Sequence, residues 1–296
     1  MRAYFRPVKL FIYSLISLQI ALADPAEKIP ANAIYLENEI VKIGVNKDSG
    51  GSIFWFSSVA EKRNYLNHYD RGRFIQQSYY GKADGSIWAK KSWRWNPVQG
   101  GDYKGKPAKV IEEKKDATSL YIKSIPVHWA TGQELTDCTM EEWITLNKEV
   151  AKIRFRFTYM GKETHTAQHQ ELPAVFVDAA FAKLHYYKGD QPWKNAPTTA
   201  DQPGWPNESR TCDEEWAAYT NEKGHGIGVF FPGKKSITCY RFGGPGGPSG
   251  SGCSYFAPVS TMTIKPSFVH DYTIYLSIGS VEEIRNRFKS IHETNK

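Results

Sequence analysis

The sequence predicts an all-β protein, a large two-sheet antiparallel β-sandwich with a short C-terminal helix, and three observations predict it. Apolar and polar residues alternate with period two through most of the chain. The clearest case is Ala151, Ile153, Phe155, Phe157 and Tyr159 interleaved with Lys152, Arg154, Arg156 and Thr158, a strand with one buried and one wet face. Gly-Gly, Asp-Gly and Pro-Gly pairs punctuate the alternating runs, as turns between strands require. Only the last stretch takes a helical period: Val281, Ile284, Phe288 and Ile291 share one face behind the capping-box pair Ser280 and Glu283.

In chain order, the first segment is expected to be absent from the mature fold. Arg2, Arg6 and Lys9 precede an apolar run from Leu10 to Ala23 that ends in Ala21-Leu22-Ala23, the charged, apolar and small-x-small order of a secretory signal peptide. The run holds about 14 residues, short of the ~20 that span a bilayer. Residues 1–23 are therefore read as a leader and 24–296 as a single β-sandwich domain, exported to the extracellular space or, in a bacterium, the periplasm. No later run is apolar enough to span, and the polar tail from Ile291 to Lys296 carries no lipid-anchor signal. Strands are then predicted at 41–45, 52–56, 74–80, 120–125, 140–146, 151–159, 174–178, 226–231, 236–241, 254–264 and 272–278, with no repeat period or linker to divide them.

Loss of Arg2, Arg6 and Lys9 lowers the formal charge from +7 to +4, so the basic balance does not point to nucleic acid. The four cysteines, Cys138, Cys212, Cys239 and Cys253, are an even number in an oxidising compartment, where paired disulfides are expected. Three connectivities are open. Cys239 to Cys253 is preferred because it closes the Gly- and Pro-rich stretch 240–252, which would leave Cys138 with Cys212. Zinc is disfavoured without a Cys-x-x-Cys pair. Asn207-Glu208-Ser209 is a glycosylation sequon beside Pro206 and Gly204.

Between Arg71 and Asp102 the composition changes. RGRFIQQSYYG and WRWNPVQGGD crowd Arg, Gln, Asn, Tyr and Trp into a segment poor in aliphatic residues. On a strand over 74–80, Gln76, Ser78 and Tyr80 fall on one face and Gln77 and Tyr79 on the other. Amides, guanidinium groups and aromatic rings are what sugar recognition calls for. Arg71, Arg73, Gln76, Gln77 and Asn96 are thus candidate hydrogen-bonding residues, and Trp88, Trp93, Trp95, Tyr79 and Tyr80 candidate stacking rings. The competing reading is a set of satisfied buried polar groups.

A second cluster, His165, His169 and Glu171, supplies a base and an acid near neutral pH. The His-Glu-x-x-His glutamate is missing and Pro173 follows, so a zinc protease is disfavoured; on an extended segment the three side chains project to one side. Asp213, Glu214 and Glu215 form a third cluster, which suits glycoside hydrolysis, a structural calcium ion or plain turn acids. No other cofactor is implied. The run Gly243 to Pro248 lacks the Lys-Ser/Thr of a phosphate loop.

Two stretches carry a family resemblance. Glu37-Asn38-Glu39-Ile40-Val41-Lys42-Ile43-Gly44-Val45 with Ser49-Gly50-Gly51-Ser52-Ile53, and Glu215-Trp216-Ala217-Ala218 with Gly224-His225-Gly226-Ile227-Gly228-Val229-Phe230-Phe231-Pro232, resemble strand pairs of the galactose-mutarotase-like β-supersandwich superfamily. The resemblance implies a carbohydrate ligand more firmly than a reaction, because fold alone does not fix chemistry. Aldose epimerisation would need a histidine acid, which His165 or His169 could match, and a C-terminal glutamate for which no convincing motif is present.

The expected function is that of a secreted protein acting on a carbohydrate polymer, by β-elimination of a uronate-containing glycan. His165 or His169 would be the base, Arg71, Arg73 or Gln77 would meet the uronate carboxylate, and Tyr79 or Tyr80 would be the acid. The alternatives are a hydrolase using Glu171 with Asp178 or Glu215, a lectin-like module, an epimerase, and a secreted module whose aromatic patch docks another protein. A first prediction concerns export: protein recovered from the medium or periplasm of an expressing host should begin at Asp24. Intact-mass measurement checks it, and a mass that retains residues 1–23 would refute it.

Overall fold

The computed structural model describes residues 29–67, 71–248 and 250–295, the Arg71 side chain excepted. The expected leader therefore lies outside the described residues. The strands are β1 (Ala33–Glu37), β2 (Val41–Asn46), β3 (Ser52–Ser58), β4 (Ala83–Trp88), β5 (Lys91–Arg94), β6 (Pro97–Val98), β7 (Lys109–Lys115), β8 (Ser119–Ile125), β9 (Val127–His128), β10 (Cys138–Asn147) and β11 (Val150–Tyr159). They continue with β12 (His165–Glu171), β13 (Val175–Asp178), β14 (Lys183–Tyr186), β15 (Thr199–Asp201), β16 (Glu208–Thr211), β17 (Trp216–Thr220), β18 (His225–Phe230), β19 (Ser236–Phe242), β20 (Cys253–Ile264) and β21 (Phe268–Ser280), and the chain ends in helix α1 (Val281–Thr294).

Nine strands form one antiparallel sheet in the order β15-β14-β17-β18-β21-β11-β10-β8-β7. Against it lie the three-stranded sheet β1-β2-β3 and a second sheet, β12-β20-β19-β16, in which β13 also pairs with β20. The bridges Ile53 to Ile75, Gln76 to Ala174 and Leu66 to Val177 stitch these two smaller sheets into one layer. The result is a two-sheet antiparallel sandwich with one C-terminal helix, as the alternation predicts. Ile43, Phe56, Val177 and Phe256 from the smaller layer meet Ile122, Ile153, Phe155 and Leu276 from the large sheet in one core. Each such burial contributes roughly 1.5–3 kcal/mol. The large sheet ends in the charged strand β7, KVIEEKK, on one edge and the three-residue β15 on the other.

Helix α1 starts at the predicted capping box, with the Glu283 N–H donating to Ser280 Oγ. Its Ile284 and Phe288 pack on Trp216, Phe230 and Tyr275. Gly228 permits the close approach, since a Cβ there would lie 2.4 Å from Ile284. Arg285 fixes the helix: its Nε and Nη2 donate to Glu214 at 2.8 and 2.6 Å, and Glu214 also accepts from the Trp216 indole at 2.8 Å. Glu214, one of the three candidate calcium or hydrolase carboxylates, is therefore a fully buried structural ion pair.

Two expectations are corrected here. The 74–80 segment is not a strand: Ile75, Gln76 and Ser78 each bridge a different partner segment, because the chain crosses between sheets there. Its alternation survives, with Gln76, Ser78 and Tyr80 facing outward and Ile75, Gln77 and Tyr79 buried inward. The disulfides are also absent; Cys138, Cys212, Cys239 and Cys253 are all buried thiols. In the β19–β20 ladder Cys239 faces Phe256 while Cys253 faces Phe242. That offset of three residues is about 10 Å of strand, beyond disulfide reach. Cys138 and Cys212 belong to separate apolar clusters. Burial pushes the Cys239 thiol up to about 12. The Gly- and Pro-rich loop is instead held by Asp178, which accepts from the Gly247 N–H at 2.6 Å, and by the Asn67 amide, which donates to the Gly252 carbonyl at 3.0 Å.

Between the layers lies a buried carboxyl group, Glu142, which accepts one hydrogen bond from the Gln99 amide at 3.1 Å. Desolvation raises its pKa from 4.5 to about 8. In the pH range between these values the folded chain holds a proton that the unfolded chain has lost. Stability is therefore full below pH 4.5 and falls as pH rises through about 8, by on the order of a few kcal/mol. Glu142→Gln should flatten this dependence and raise the melting temperature above pH 8. Thermal unfolding at a series of pH values checks this, and parallel curves for the two proteins would refute it.

Candidate active site

A cleft of ≈ 1080 Å³ opens on the smaller-sheet layer. Its floor is set by how β20 is shared. β12 pairs with the far end of β20, Glu171 opposite Val259, and β13 pairs with the near end, Val175 opposite Phe256. Leu172 still donates to the Pro258 carbonyl, and Pro173 and Ala174 then leave the ladder; Glu171 and Ala174 line the cleft beside that break. Half-buried Glu171 accepts a hydrogen bond from the Tyr255 hydroxyl at 2.5 Å. Its pKa is raised because burial penalises the carboxylate, an effect that the Tyr255 hydrogen bond partly offsets. Tyr80 stands on the other side, its phenol also raised by burial and by the Glu171 charge.

Aromatic rings extend from this centre in two directions. On one flank Tyr80 meets Trp93 (6.3 Å between centroids), Trp93 meets Trp88 (4.6 Å), Trp88 meets Trp129 (5.9 Å) and Trp129 meets Tyr103 (6.3 Å). On the other, Tyr255 meets Tyr240 (4.5 Å), Tyr240 meets Trp205 (4.9 Å) and Trp205 meets Phe242 (4.8 Å). Trp88 and Trp93 ride on the β4–β5 hairpin, outside the main sheets. His128 tethers that hairpin: its Nδ1 accepts from the Ala130 N–H, so Nε2 carries the proton that meets Asp84 at 2.7 Å.

Two guanidinium groups flank the rings. Arg73 lies over Phe242 at 5.2 Å and donates to the Ser251 carbonyl at 3.1 Å. Arg94 lies over both Tyr80 and Trp93, at 5.7 and 5.6 Å, and donates to Gln168 at 3.0 Å.

Of the residues singled out from sequence, Arg73, Gln76, Tyr80, Trp88, Trp93, Asn96 and Glu171 converge on the cleft. Gln76 and Asn96 also have structural tasks, since Gln76 Nε2 donates to the Gly72 carbonyl at 2.8 Å and Asn96 Nδ2 to the Tyr79 carbonyl at 2.8 Å. Gln77, Tyr79 and Trp95 point the other way. Gln77 donates to the Glu141 carbonyl, Tyr79 stacks on Phe157 at 4.0 Å, and Trp95 stacks on His165 at 3.9 Å. Asn207 lies on the cleft rim with its amide donating to the Thr238 hydroxyl at 2.9 Å.

The histidines are not brought to the cleft. A bulge between His165 and Gln168 inserts one extra residue in β12 against β20, which reverses the side on which later side chains point. His165 consequently turns inward, with its pKa lowered by burial and neither ring nitrogen hydrogen-bonded. His169 turns outward with Glu171 but is exposed and bonded to the Thr261 hydroxyl at 2.8 Å. The expected shared face of His165, His169 and Glu171 thus fails by one residue of register.

The carboxylate pairs expected for hydrolysis are not assembled either. Asp178 is tied to the 243–248 loop, and Glu215 accepts from the Gly233 N–H at 2.9 Å. Among the described residues the carboxylates lining the cleft are Glu171 and Asp102, and Asp102 Oδ1 accepts from the Lys104 and Lys106 N–H groups at 2.9 and 2.7 Å. Among the described residues no three His, Cys, Asp or Glu side chains are grouped as a metal ion would require. Sequence reasoning missed Trp129, Trp205, Tyr240, Phe242 and Tyr255, which stand singly in ordinary strand and loop contexts and meet only in the fold.

The architecture is that of the galactose-mutarotase-like sandwiches. The chain is similar to a galactose mutarotase-like protein from Lactobacillus casei at 11% identity and a TM-score of 0.55, over 83% of this chain and 99% of the other. A galactose mutarotase related enzyme from Lactobacillus acidophilus matches at 10% identity and a TM-score of 0.55, over 84% and 97%. A galactose mutarotase-like protein from Clostridium acetobutylicum matches at 10% identity and a TM-score of 0.52, over 84% and 95%. No protein-family model and no curated protein matches the sequence.

Proposed function

We propose that the protein is a secreted carbohydrate-active enzyme that binds a uronate-containing glycan in this cleft and cleaves it by β-elimination, with Glu171 as base. The observation that carries the reading is Glu171: a carboxylate with a raised pKa, held by a phenol, at the centre of an aromatic-walled cleft that also receives Arg73. A raised pKa brings a carboxylate nearer to neutrality and makes it a stronger base once ionised.

In this reading Glu171 removes the proton from the carbon next to the uronate carboxylate. The freed electron pair forms a carbon–carbon double bond, and the bond from the adjacent carbon to the glycosidic oxygen breaks. Tyr80, kept protonated by burial, gives that oxygen a proton, and solvent returns the exchanged proton between the two groups. Arg73 offsets the charge that builds on the uronate carboxylate, and the rings cover the C–H faces of the sugars. Histidine is no longer needed as the base. Two-carboxylate hydrolysis is less well supported, because Asp102 is committed to backbone amides.

Glu171→Gln is expected to reduce turnover by roughly 10²–10⁴-fold. Tyr255→Phe removes the hydrogen bond that holds the Glu171 pKa down, so its low-pH limb of activity should move to higher pH. Both are measured with alginate, polygalacturonate and hyaluronan, with xylan and a β-glucan as neutral comparators, by following unsaturated-uronate absorbance and reducing ends together. Reducing ends without absorbance would replace elimination by hydrolysis. Binding with neither signal would leave a lectin, faster mutarotation of a free aldose by polarimetry would indicate an epimerase, and no binding to any glycan would end the carbohydrate reading.

A further inference from the structure

We infer that the cleft is two-sided about Glu171 and holds an internal stretch of a glycan chain, so that attack falls within the chain and not at its end. The inference rests on the carbohydrate reading above and adds the length and placement of the ligand. Glu171 accepts from the Tyr255 hydroxyl at 2.5 Å, and Gln170 beside it bonds both the N–H and the carbonyl of Tyr80 at 2.6 and 2.8 Å; Tyr80 and Tyr255 each begin one of the two ring series. Glu171 therefore sits between the series and not at the end of one.

Both series run out into solvent. Tyr103 is 44% exposed at one end, and Trp205 and Phe242 are 60% and 43% exposed at the other. Large aromatic side chains grouped at the surface mark contact sites. A pocket for a chain end needs rings on one side of the reacting group and a wall on the other, whereas here rings lead away on both. The two flanks come from different parts of the chain. The β4–β5 hairpin with Trp129 and Tyr103 forms one, and β19 with the loop carrying Trp205 forms the other. Each can therefore be altered without the other.

The experiment uses the mature chain, Trp205→Ala for one flank and Trp88→Ala for the other, with Tyr103→Ala as a second variant of the hairpin flank should Trp88→Ala unfold. Alginate, polygalacturonate and hyaluronan are the probes. On the polymer that is cleaved, viscosity should collapse while few new ends have formed, and the first products should be long oligomers of mixed size. Each flank variant should raise KM about ten-fold, the loss of one ring contact. Should a polymer be bound without being cleaved, the same loss is read as Kd. Early release of only mono- or disaccharides with viscosity preserved would overturn the inference while leaving the carbohydrate reading intact. So would a loss of affinity confined to one flank. Failure of all three polymers and both neutral glycans to bind would instead remove the reading on which it rests.

Discussion

The structure depends on one requirement, that a backbone passing between two sheets must still satisfy its buried N–H and C=O groups. Residues 74–80 make that passage and have no continuous ladder. Short backbone pairings of Ile75 with Ile53, Gln76 with Ala174 and Tyr79 with Pro97 satisfy part of the requirement, and side-chain amides complete the rest. Gln99 Oε1 accepts from the Gln77 N–H at 3.1 Å, Asn96 donates to the Tyr79 carbonyl, and Gln170 both accepts from the Tyr80 N–H at 2.6 Å and donates to the Tyr80 carbonyl at 2.8 Å. The backbone bridges Ile53 to Ile75, Gln76 to Ala174 and Leu66 to Val177 join the two smaller sheets into one layer, and these side-chain bonds hold residues 77–80 in the cleft floor. Without them, Tyr80 would have no defined position beside Glu171.

The same constraint explains why Glu171, the proposed base, lies where it does. β20 is long enough to pair with two strands in succession, and Pro173 and Ala174 between them leave the ladder open at one point. A carboxylate at that point is sheltered by the sheet below and reached from the cleft above. Burial then raises its pKa, while Tyr255, from β20 itself, supplies the compensating hydrogen bond. The bulge in β12 is part of this arrangement, since it turns Glu171 outward while His165 packs against Trp95.

Much of this was legible in the sequence, though unevenly. Period-two alternation is a local property, and it located β11 and β21 and even the outward face of Gln76, Ser78 and Tyr80; the capping-box pair Ser280 and Glu283 located the start of α1. The amide-rich block places Gln76 and Asn96 along the cleft, but Gln76, Gln77, Asn96 and Gln99 all bond backbone groups as well. Gln77 and Trp95 could not be told from Gln76 and Trp93 by composition, because a residue's side is decided by which strand lies behind it. The histidines misled for a sharper reason: one inserted residue in β12 reverses every side chain after it, and an insertion is defined only against the partner strand. The disulfide expectation failed likewise, since the spacing of Cys239 and Cys253 along the chain says nothing about their three-residue offset across the ladder.

The rim of the nine-stranded sheet has a consequence of its own. An open strand edge is a template on which any extended peptide can build, and long sheets are exposed to uncontrolled accretion for that reason. Strand β7 places Lys109, Glu112, Glu113, Lys114 and Lys115 on that edge, and β15 offers only three residues on the other. An incoming strand would have to present matching opposite charges in register to add to β7, and would find almost no length to grip at β15. Both edges of the nine-stranded sheet thereby disfavour the addition of a foreign strand.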